Sequence, residues 1–180
     1  GYDTLRLVLA KRVVLVEGPT DELIFDKAFL EKYKCMPIEK GVDVIVVDSL
    51  AFKRYLDILS LIEKPGTILT DNDGDISNLK KKYRDYMSNK SFKFYYETNE
   101  QLNTIEPSLV SANKDVLEEL NSIINPHNKI DTPTDMTPTA SQLIKFMTNN
   151  KSEWALRVFN SEKHIGYPDY ILEAVQHAID

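Results

Sequence analysis

The sequence predicts an α/β fold with a mainly parallel, four-stranded sheet flanked by helices, followed by a helical C-terminal part. Over the first hundred of its 180 residues, four short apolar runs of strand length alternate with segments of helical period. The runs carry apolar residues at consecutive positions, which is typical of strands that are covered on both faces. A regular alternation of strand and helix favours right-handed crossovers, and therefore parallel pairing of the strands.

The boundaries of these elements follow from the apolar runs and from the turn residues between them. Strands are expected over residues 13–16, 42–47, 67–70 and 92–96. Helices are expected from a Thr20 cap to about Tyr33, from Ala51 to Ile62, and over 77–87. Beyond residue 107 we expect helices over 107–124, 140–148, 153–159 and 169–179, with a loop over 132–138. We therefore predict an α/β core over 1–106 and a helical part over 107–180 that packs on it as one structural unit.

The amino-acid composition argues against a disulfide-stabilised protein, a membrane protein and a strongly basic nucleic-acid-binding domain. A single cysteine, Cys35, rules out an internal disulfide framework and favours a reducing, cytoplasmic location. No apolar run approaches the roughly 20 residues of a membrane span, so no membrane partner is expected. The formal charge of −6 argues against a domain that coats nucleic acid by bulk charge, but it leaves room for local patches and a bound cation. Because the chain does not begin with Met, we expect a fragment of a longer protein.

Acidic residues follow two of the predicted strands. Glu17 ends the first strand, and Asp71 and Asp73 follow the third. In an open α/β sheet, ligands bind beyond the carboxyl ends of the strands, where Asp21 on the next helix could also point. Two like charges about 4 Å apart repel by roughly 4 kcal/mol at an effective dielectric near 20, so the group must protonate, spread or hold a cation. Oxygen ligands favour Mg²⁺ or Mn²⁺, and two such ions could stabilise both the attacking and the leaving oxygen of a phosphodiester.

Other motifs that could explain these acids do not fit. A calcium loop that began at Asp71 would need Gly and Glu where Ile76 and Lys82 stand. The Gly-Pro turn after the first strand lacks the Lys-Ser/Thr pair of a phosphate-binding loop, and no Gly-x-Gly-x-x-Gly follows for a dinucleotide. A phosphatase with an aspartate nucleophile would need Asp where Glu17 stands.

The segments VVLVEGPTDE and LTDNDGD, in this order, resemble a Toprim domain, the catalytic module of topoisomerases, bacterial primases and several nucleases. Three longer stretches, YDTLRLVLAKRVVLVEGPTDELI, TNEQLNTIEPSLV and KSEWALRV, are similar to the C-terminal part of the OLD (overcoming lysogenisation defect) family of ATP-dependent nucleases. This family includes the Gabija-type anti-phage nucleases. The resemblance implies a preceding ABC-type ATPase domain, a homo-oligomer formed through it, and a possible helicase partner.

The resemblance also implies roles for individual residues. The implied metal ligands are Glu17, Asp21, Asp71, Asp73 and Glu106, the last from the Thr-Ile-Glu element at 104–106. Asp21 stands where Glu is common, and its shorter side chain reaches less far. Lys151, ahead of the Trp-Ala pair, matches a lysine that stabilises transition-state charge. Together with Glu17, Asp71 and Asp73 it completes the implied catalytic set.

We therefore expect a DNA endonuclease that uses Mg²⁺ or Mn²⁺, with two ions in the site. Two alternatives stay open: a Toprim domain of primase or topoisomerase type, and a non-catalytic module that binds DNA or a partner protein. The individual residues also have plainer interpretations. Asp71 and Asp73 could form an Asx-turn, and Asp21 and Glu106 could be helix-start acids. Lysines 80–82 and Arg84 could be a solvated helix face or a phosphate-binding patch beside Asp73.

Overall fold

A four-stranded sheet with the strand order β2-β1-β3-β4 forms the centre of the computed structural model. The structure describes residues 2–47, 51–127, 130 and 137–180. The strands are β1 (Arg12–Val16), β2 (Val42–Val46), β3 (Gly66–Leu69) and β4 (Phe92–Tyr95). All three pairings are parallel, which confirms the predicted fold class.

The central position of β1 follows from its sequence. Val13 to Val16 are at most 2% exposed, because β1 lies between β2 and β3 and helices pack on both faces of the sheet. In the register of the sheet, Leu15 lies between Ile45 of β2 and Ile68 of β3. The residues that follow β1 and β3 therefore emerge side by side at the carboxyl edge of the sheet.

Ten helices of the described residues surround the sheet. In the first half they are α1 (Tyr2–Leu9), α2 (Pro19–Tyr33), α3 (Phe52–Leu61), α4 (Ile76–Lys82) and α5 (Arg84–Met87). In the second half they are α6 (Ile105–Ala112), α7 (Leu117–Ile124), α8 (Ala140–Asn149), α9 (Lys151–Asn160) and α10 (Asp169–His177). A short 3₁₀ turn spans Pro37–Lys40. Most predicted boundaries are within two residues of the observed ones, whereas α1 is a helix that the sequence analysis did not predict.

Three helix predictions need correction. Helix α2 begins at Pro19 and is capped at Gly18, so Thr20 lies inside its first turn, because proline is well suited to the first helical position. The helix expected over 77–87 is divided in two at Tyr83, whose side chain is fully buried. The helix expected over 107–124 begins earlier, at Ile105, and is divided at Asn113. Of the loop expected over 132–138, residues 132–136 lie outside the described residues.

Two hydrophobic clusters cover the two faces of the sheet. Val14 and Val16 of β1 join α2 and apolar residues of all the helices from α6 to α10 on one face. Val13 and Leu15 point to the opposite face, with residues of α1, α3 and α4. This alternation is the period of two of a β-strand. As a result, apolar residues of the region 107–180 share one cluster with β1 and α2. In the described part of the chain, no helix is long and apolar enough to span a membrane.

Candidate metal centre

Glu17 lies at the carboxyl edge of the sheet, directly after β1. Its Oε1 atom accepts a hydrogen bond from the backbone N–H of Asp71, at 3.2 Å, and another from the Thr70 hydroxyl. Thr70 and Asp71 directly follow β3, the neighbour of β1. The predicted juxtaposition of Glu17 and the Asp71 loop is therefore present, and Thr70 is a contributor that the sequence analysis did not identify.

Asp21 lies in the first turn of α2 and faces back toward the end of β1. Its Oδ2 atom accepts a hydrogen bond from the backbone N–H of Gly18 at 3.0 Å. The pKa of Asp21 is raised to about 7, first by burial and then by the charges of Glu17 and Glu106, while the Gly18 hydrogen bond acts in the opposite direction. Asp21 thus caps its own helix and also belongs electrostatically to the acidic group.

Asp71 lies within electrostatic range of the four other acids. Its pKa is raised to about 8, first by burial and then by the charges of Asp21, Glu17, Glu106 and Asp73. An ordinary aspartate has a pKa near 3.9, so the environment strongly disfavours the charged form of this carboxyl. The like charges that the sequence places on separate segments therefore act on one another in the folded chain.

Glu106 reaches the same region from the opposite half of the sequence. It lies in the first turn of α6, where it is only 2% exposed, and its Oε2 accepts a hydrogen bond from the Thr104 hydroxyl at 2.7 Å. Thr104 has extended backbone angles, and proline is tolerated in a first helical turn, so α6 can begin ahead of Pro107. The buried Glu106 is therefore oriented by its own Thr-Ile-Glu element.

The five acids fit a hard divalent cation by their chemistry, since all of their donor atoms are oxygens. Among the described residues, however, no three acidic, histidine or cysteine side chains have their ligating atoms gathered tightly enough to hold an ion as they stand. The acids act electrostatically on one another, but the carboxylates of Glu17, Asp21 and Glu106 accept hydrogen bonds from separate donors. Like-charged groups spread in this way unless a cation offsets their repulsion.

Two lysines differ in their relation to the acids. Lys151 is the first residue of α9 and is exposed, and within the described part of the chain it forms no hydrogen bond or ion pair with the acids. Its catalytic role stays a prediction. Lys82, at the end of α4, lies within electrostatic range of Glu17 and Asp73. The sequence signal for Lys82 was the lysine run shortly after Asp73, which a solvated helix face would explain equally well.

The position of Lys82 is set by a buried aromatic side chain. Its Nζ lies 4.8 Å from the centre of the Tyr83 ring, a cation–π arrangement. The Tyr83 ring packs against Phe52 and Phe94, with centroids 6.1 and 5.5 Å away. The ammonium group therefore lies over a rigid surface at the border of the acidic group.

Comparisons with known proteins give one matching domain family and several similar structures. Residues 8–73, which contain Glu17 and the Asp71–Asp73 loop, match the family model described as overcoming lysogenization defect protein-like, TOPRIM domain. No curated protein matches the chain in sequence.

Two solved structures share the fold over nearly the whole chain. One is the C-terminal region of the Xanthomonas campestris pv. campestris OLD protein, with a TM-score of 0.63 and 20% identity, covering 97% of this chain and 95% of the other. The second is the C-terminal region of the Burkholderia pseudomallei OLD protein, with a TM-score of 0.64 and 16% identity, covering 95% and 99%. Toprim domains in general bind divalent metal ions and process nucleic acids. From these comparisons we conclude that residues 8–73 carry the Toprim domain of the OLD-like family, and that nearly the whole chain has the fold of the C-terminal regions of OLD proteins.

Proposed function

We propose that the domain is an endonuclease that hydrolyses DNA phosphodiester bonds with Mg²⁺ or Mn²⁺, with two ions bound. The observation that supports this most directly is the electrostatic repulsion among the acids near the ends of β1 and β3. Burial and then the charges of four other carboxylates raise the pKa of Asp71 to about 8. A group of acids held in such an unfavourable state is stabilised when a cation binds, and it is typical of a functional site.

The five acids would hold the ions; they are Glu17, Asp21, Asp71, Asp73 and Glu106. Bound divalent ions would supply charge stabilisation for the phosphodiester and lower the pKa of a water nucleophile. The chain's own carboxylates would orient the phosphodiester, and one of them would accept the proton of the attacking water. A lysine ammonium, from Lys151 or Lys82, would offset the charge that develops on the phosphate.

The intact protein would combine this domain with other components. By resemblance to the OLD family, we propose a preceding ABC-type ATPase domain that controls the nuclease and forms a homo-oligomer. A helicase partner, a cytoplasmic location and a role in anti-phage defence belong to the same proposal. These features rest on the family alone, whereas the nuclease site rests on the acidic residues of this chain.

Nicking of supercoiled plasmid DNA in the presence of Mg²⁺ or Mn²⁺ tests the proposal. We expect the unmodified protein to convert supercoiled to open-circular DNA, and the Glu17→Ala and Asp71→Ala variants to lose this activity. Asp85→Ala, on the exposed surface of α5, is the control and should cleave normally. Full cleavage by Glu17→Ala or Asp71→Ala would overturn the proposed site.

Two further measurements separate the alternatives. Synthesis of primers from nucleotides would indicate a primase-type domain, which requires elements beyond the acidic site. Absence of Mg²⁺ and Mn²⁺ binding in calorimetry, with DNA binding retained, would instead indicate a non-catalytic module.

A further inference from the structure

Asn72 separates the two aspartates of the Asp71–Asp73 loop, and its side chain points into the protein. It is only 1% exposed, whereas Asp73 on one side of it is exposed and Asp71 on the other is partly buried. An asparagine amide buried to this degree must form hydrogen bonds to offset its lost hydration. The contacts of Asn72 therefore determine how the loop is held.

The Asn72 amide forms three hydrogen bonds. Its Nδ2 donates to the backbone carbonyls of Glu97 and Asn99, at 2.7 and 3.1 Å. Its Oδ1 accepts from the backbone N–H of Gly74 at 2.8 Å. One side chain thus closes the turn of the acidic loop and connects that loop to the segment that follows β4.

The backbone of this loop needs such support. Asp73 has a φ of 52° and Gly74 a φ of 77°, so two successive residues adopt left-handed conformations beyond the end of β3. A left-handed conformation at a residue other than glycine is held in place by its surroundings. The backbone N–H of Asp73 adds a weaker contact, donating to the Asn103 carbonyl at 3.3 Å. The direction of the Asp73 side chain therefore depends on the connection to residues 97–103.

The segment 97–103, to which Asn72 binds, also leads to Glu106. Residues 97–103 lead directly into Thr104 and Glu106, and the Glu106 charge acts on Asp71. A displacement of the acidic loop from this segment would change the distances between Asp71, Asp73 and Glu106 together. Partners behind the ligands of a metal determine ligand orientation, and their loss typically weakens metal binding 10- to 100-fold.

We propose that Asn72 is a positioning residue, which sets the Asp71 and Asp73 carboxylates relative to Glu106 so that a divalent cation can bind between them. This inference rests on the proposed metal-dependent function. It assigns to the middle residue of the Asp-Asn-Asp sequence a role that is separate from charge or direct ligation.

A matched control lies in the helical half of the chain. Asn113 is also 1% exposed, and its Nδ2 donates to the carbonyls of Leu109 and Gly166, both at 2.8 Å. Its Oδ1 accepts from the Gly166 N–H at 2.7 Å. The two asparagines thus have the same burial and the same pattern of two donated and one accepted hydrogen bonds. Asn113 lies beyond the far end of α6 from Glu106, about 10 Å along the helix.

Mn²⁺ binding by isothermal calorimetry, at a temperature well below every unfolding midpoint, compares the variants Asn72→Ala and Asn113→Ala. We expect both to lower the Tm, since each leaves buried backbone groups without their partner. Only Asn72→Ala should also weaken Mn²⁺ binding, about 10- to 100-fold. Unchanged Mn²⁺ affinity in Asn72→Ala, or an equal loss in Asn113→Ala, would overturn the positioning role.

The variant Asn72→Asp provides a second test, in which added charge and lost positioning would change the cation affinity in opposite directions. It can replace Asn72→Ala if that variant does not fold. It keeps an acceptor for the Gly74 N–H but cannot donate to Glu97 and Asn99. An additional negative charge alone would strengthen cation binding, so a weaker affinity indicates lost positioning and a stronger one contradicts it. If the unmodified protein binds no Mn²⁺, the proposed function itself fails and the inference fails with it.

Discussion

The Thr70 hydroxyl donates a hydrogen bond to the Glu17 carboxylate, although 53 positions separate the two residues in sequence. The bond forms because β1 and β3 are adjacent and parallel, so their carboxyl ends lie side by side. The same Glu17 oxygen accepts from the Asp71 N–H. Glu17 is therefore oriented by the segment after β3, which also carries Asp71 and Asp73.

Replacing Thr70 by valine should weaken Mn²⁺ binding about 10-fold or more, because Glu17 loses the donor that orients it. Thr70→Ser retains a hydroxyl and should bind Mn²⁺ nearly as well as the unmodified protein. Calorimetric titration with Mn²⁺ provides the measurement.

Thr67→Val is the matched control for this prediction. Thr67 lies in β3 itself, is buried like Thr70, and its hydroxyl contacts His177 Nδ1 at 2.8 Å instead of an acid. Its replacement should lower stability and leave Mn²⁺ affinity unchanged. Equal affinities for Thr70→Val and Thr67→Val would contradict the orienting role of Thr70.

Asp71→Asn should stabilise the metal-free protein while it abolishes the stabilisation by metal. A carboxyl whose pKa is raised to about 8 in the folded state binds its proton more tightly than in the unfolded chain, so the unfolding free energy falls as pH rises from about 4 to about 8. Asparagine does not ionise, so the unfolding free energy of the variant lacks this fall with rising pH. We expect a higher Tm than that of the unmodified protein at pH 8.5 without metal.

The gain for Asp71→Asn should be about 1–3 kcal/mol, discounted because the side chain is only partly buried. Added Mn²⁺ should raise the Tm of the unmodified protein and leave that of Asp71→Asn unchanged. A lower metal-free Tm for the variant at pH 8.5 would show that Asp71 is not under electrostatic repulsion.

Lys82→Ala should slow DNA cleavage on the order of 10- to 100-fold, because the ammonium lies within electrostatic range of Glu17 and Asp73 and could offset charge on a phosphate bound there. Lys81→Ala changes the neighbouring exposed lysine of the same helix and should change the rate less than about twofold. The measurement is single-turnover plasmid nicking with saturating Mn²⁺.

Lys151→Ala belongs in the same experiment, since the family resemblance assigns that lysine the charge-stabilising role. If Lys151→Ala slows nicking strongly and Lys82→Ala does not, Lys151 alone has the charge-stabilising role. Equal rates for Lys82→Ala and Lys81→Ala would show that Lys82 belongs to a solvated face.

Asp26→Asn should change how stability depends on pH, at a position outside the acidic group. Burial and then the Glu22 charge raise the pKa of Asp26 to about 7. The Asp26 Oδ1 atom is buried and has no hydrogen-bond partner among the described residues. The folded state therefore binds the proton more tightly, and the unfolding free energy falls as pH rises between about 4 and about 7.

Urea unfolding at pH 4 and pH 8 tests this prediction. At pH 8 the unfolding free energy of Asp26→Asn should be about 1–2 kcal/mol higher than that of the unmodified protein. At pH 4 this difference should nearly vanish. Asp85→Asn, on the exposed surface, is the control and should show no such difference. A constant difference at both pH values would mean that packing, and not ionisation, is responsible.

Much of the fold could be predicted from local patterns. The consecutive apolar residues of β1 and β2 predict strands covered on both faces, and the alternation with helices predicts parallel pairing. The divisions at Tyr83 and Asn113 could not be predicted, because each depends on a distant contact. The Tyr83 ring enters the cluster formed with Phe52 and Phe94, and Asn113 binds the backbone of Gly166.

The candidate site also has some features that the sequence predicts and others that only the fold creates. The sequence by itself determined which carboxylates could act together, since Glu17, Asp71 and Asp73 follow apolar strands and only the order of strands had to bring them near. Only the tertiary structure decided how they are held: by the Thr70 hydroxyl and by the Asn72 amide, and with Lys82 at the border. The physical reason is that strand and helix periodicity are local properties of the chain. A hydrogen bond between side chains 53 positions apart exists only once the sheet has formed.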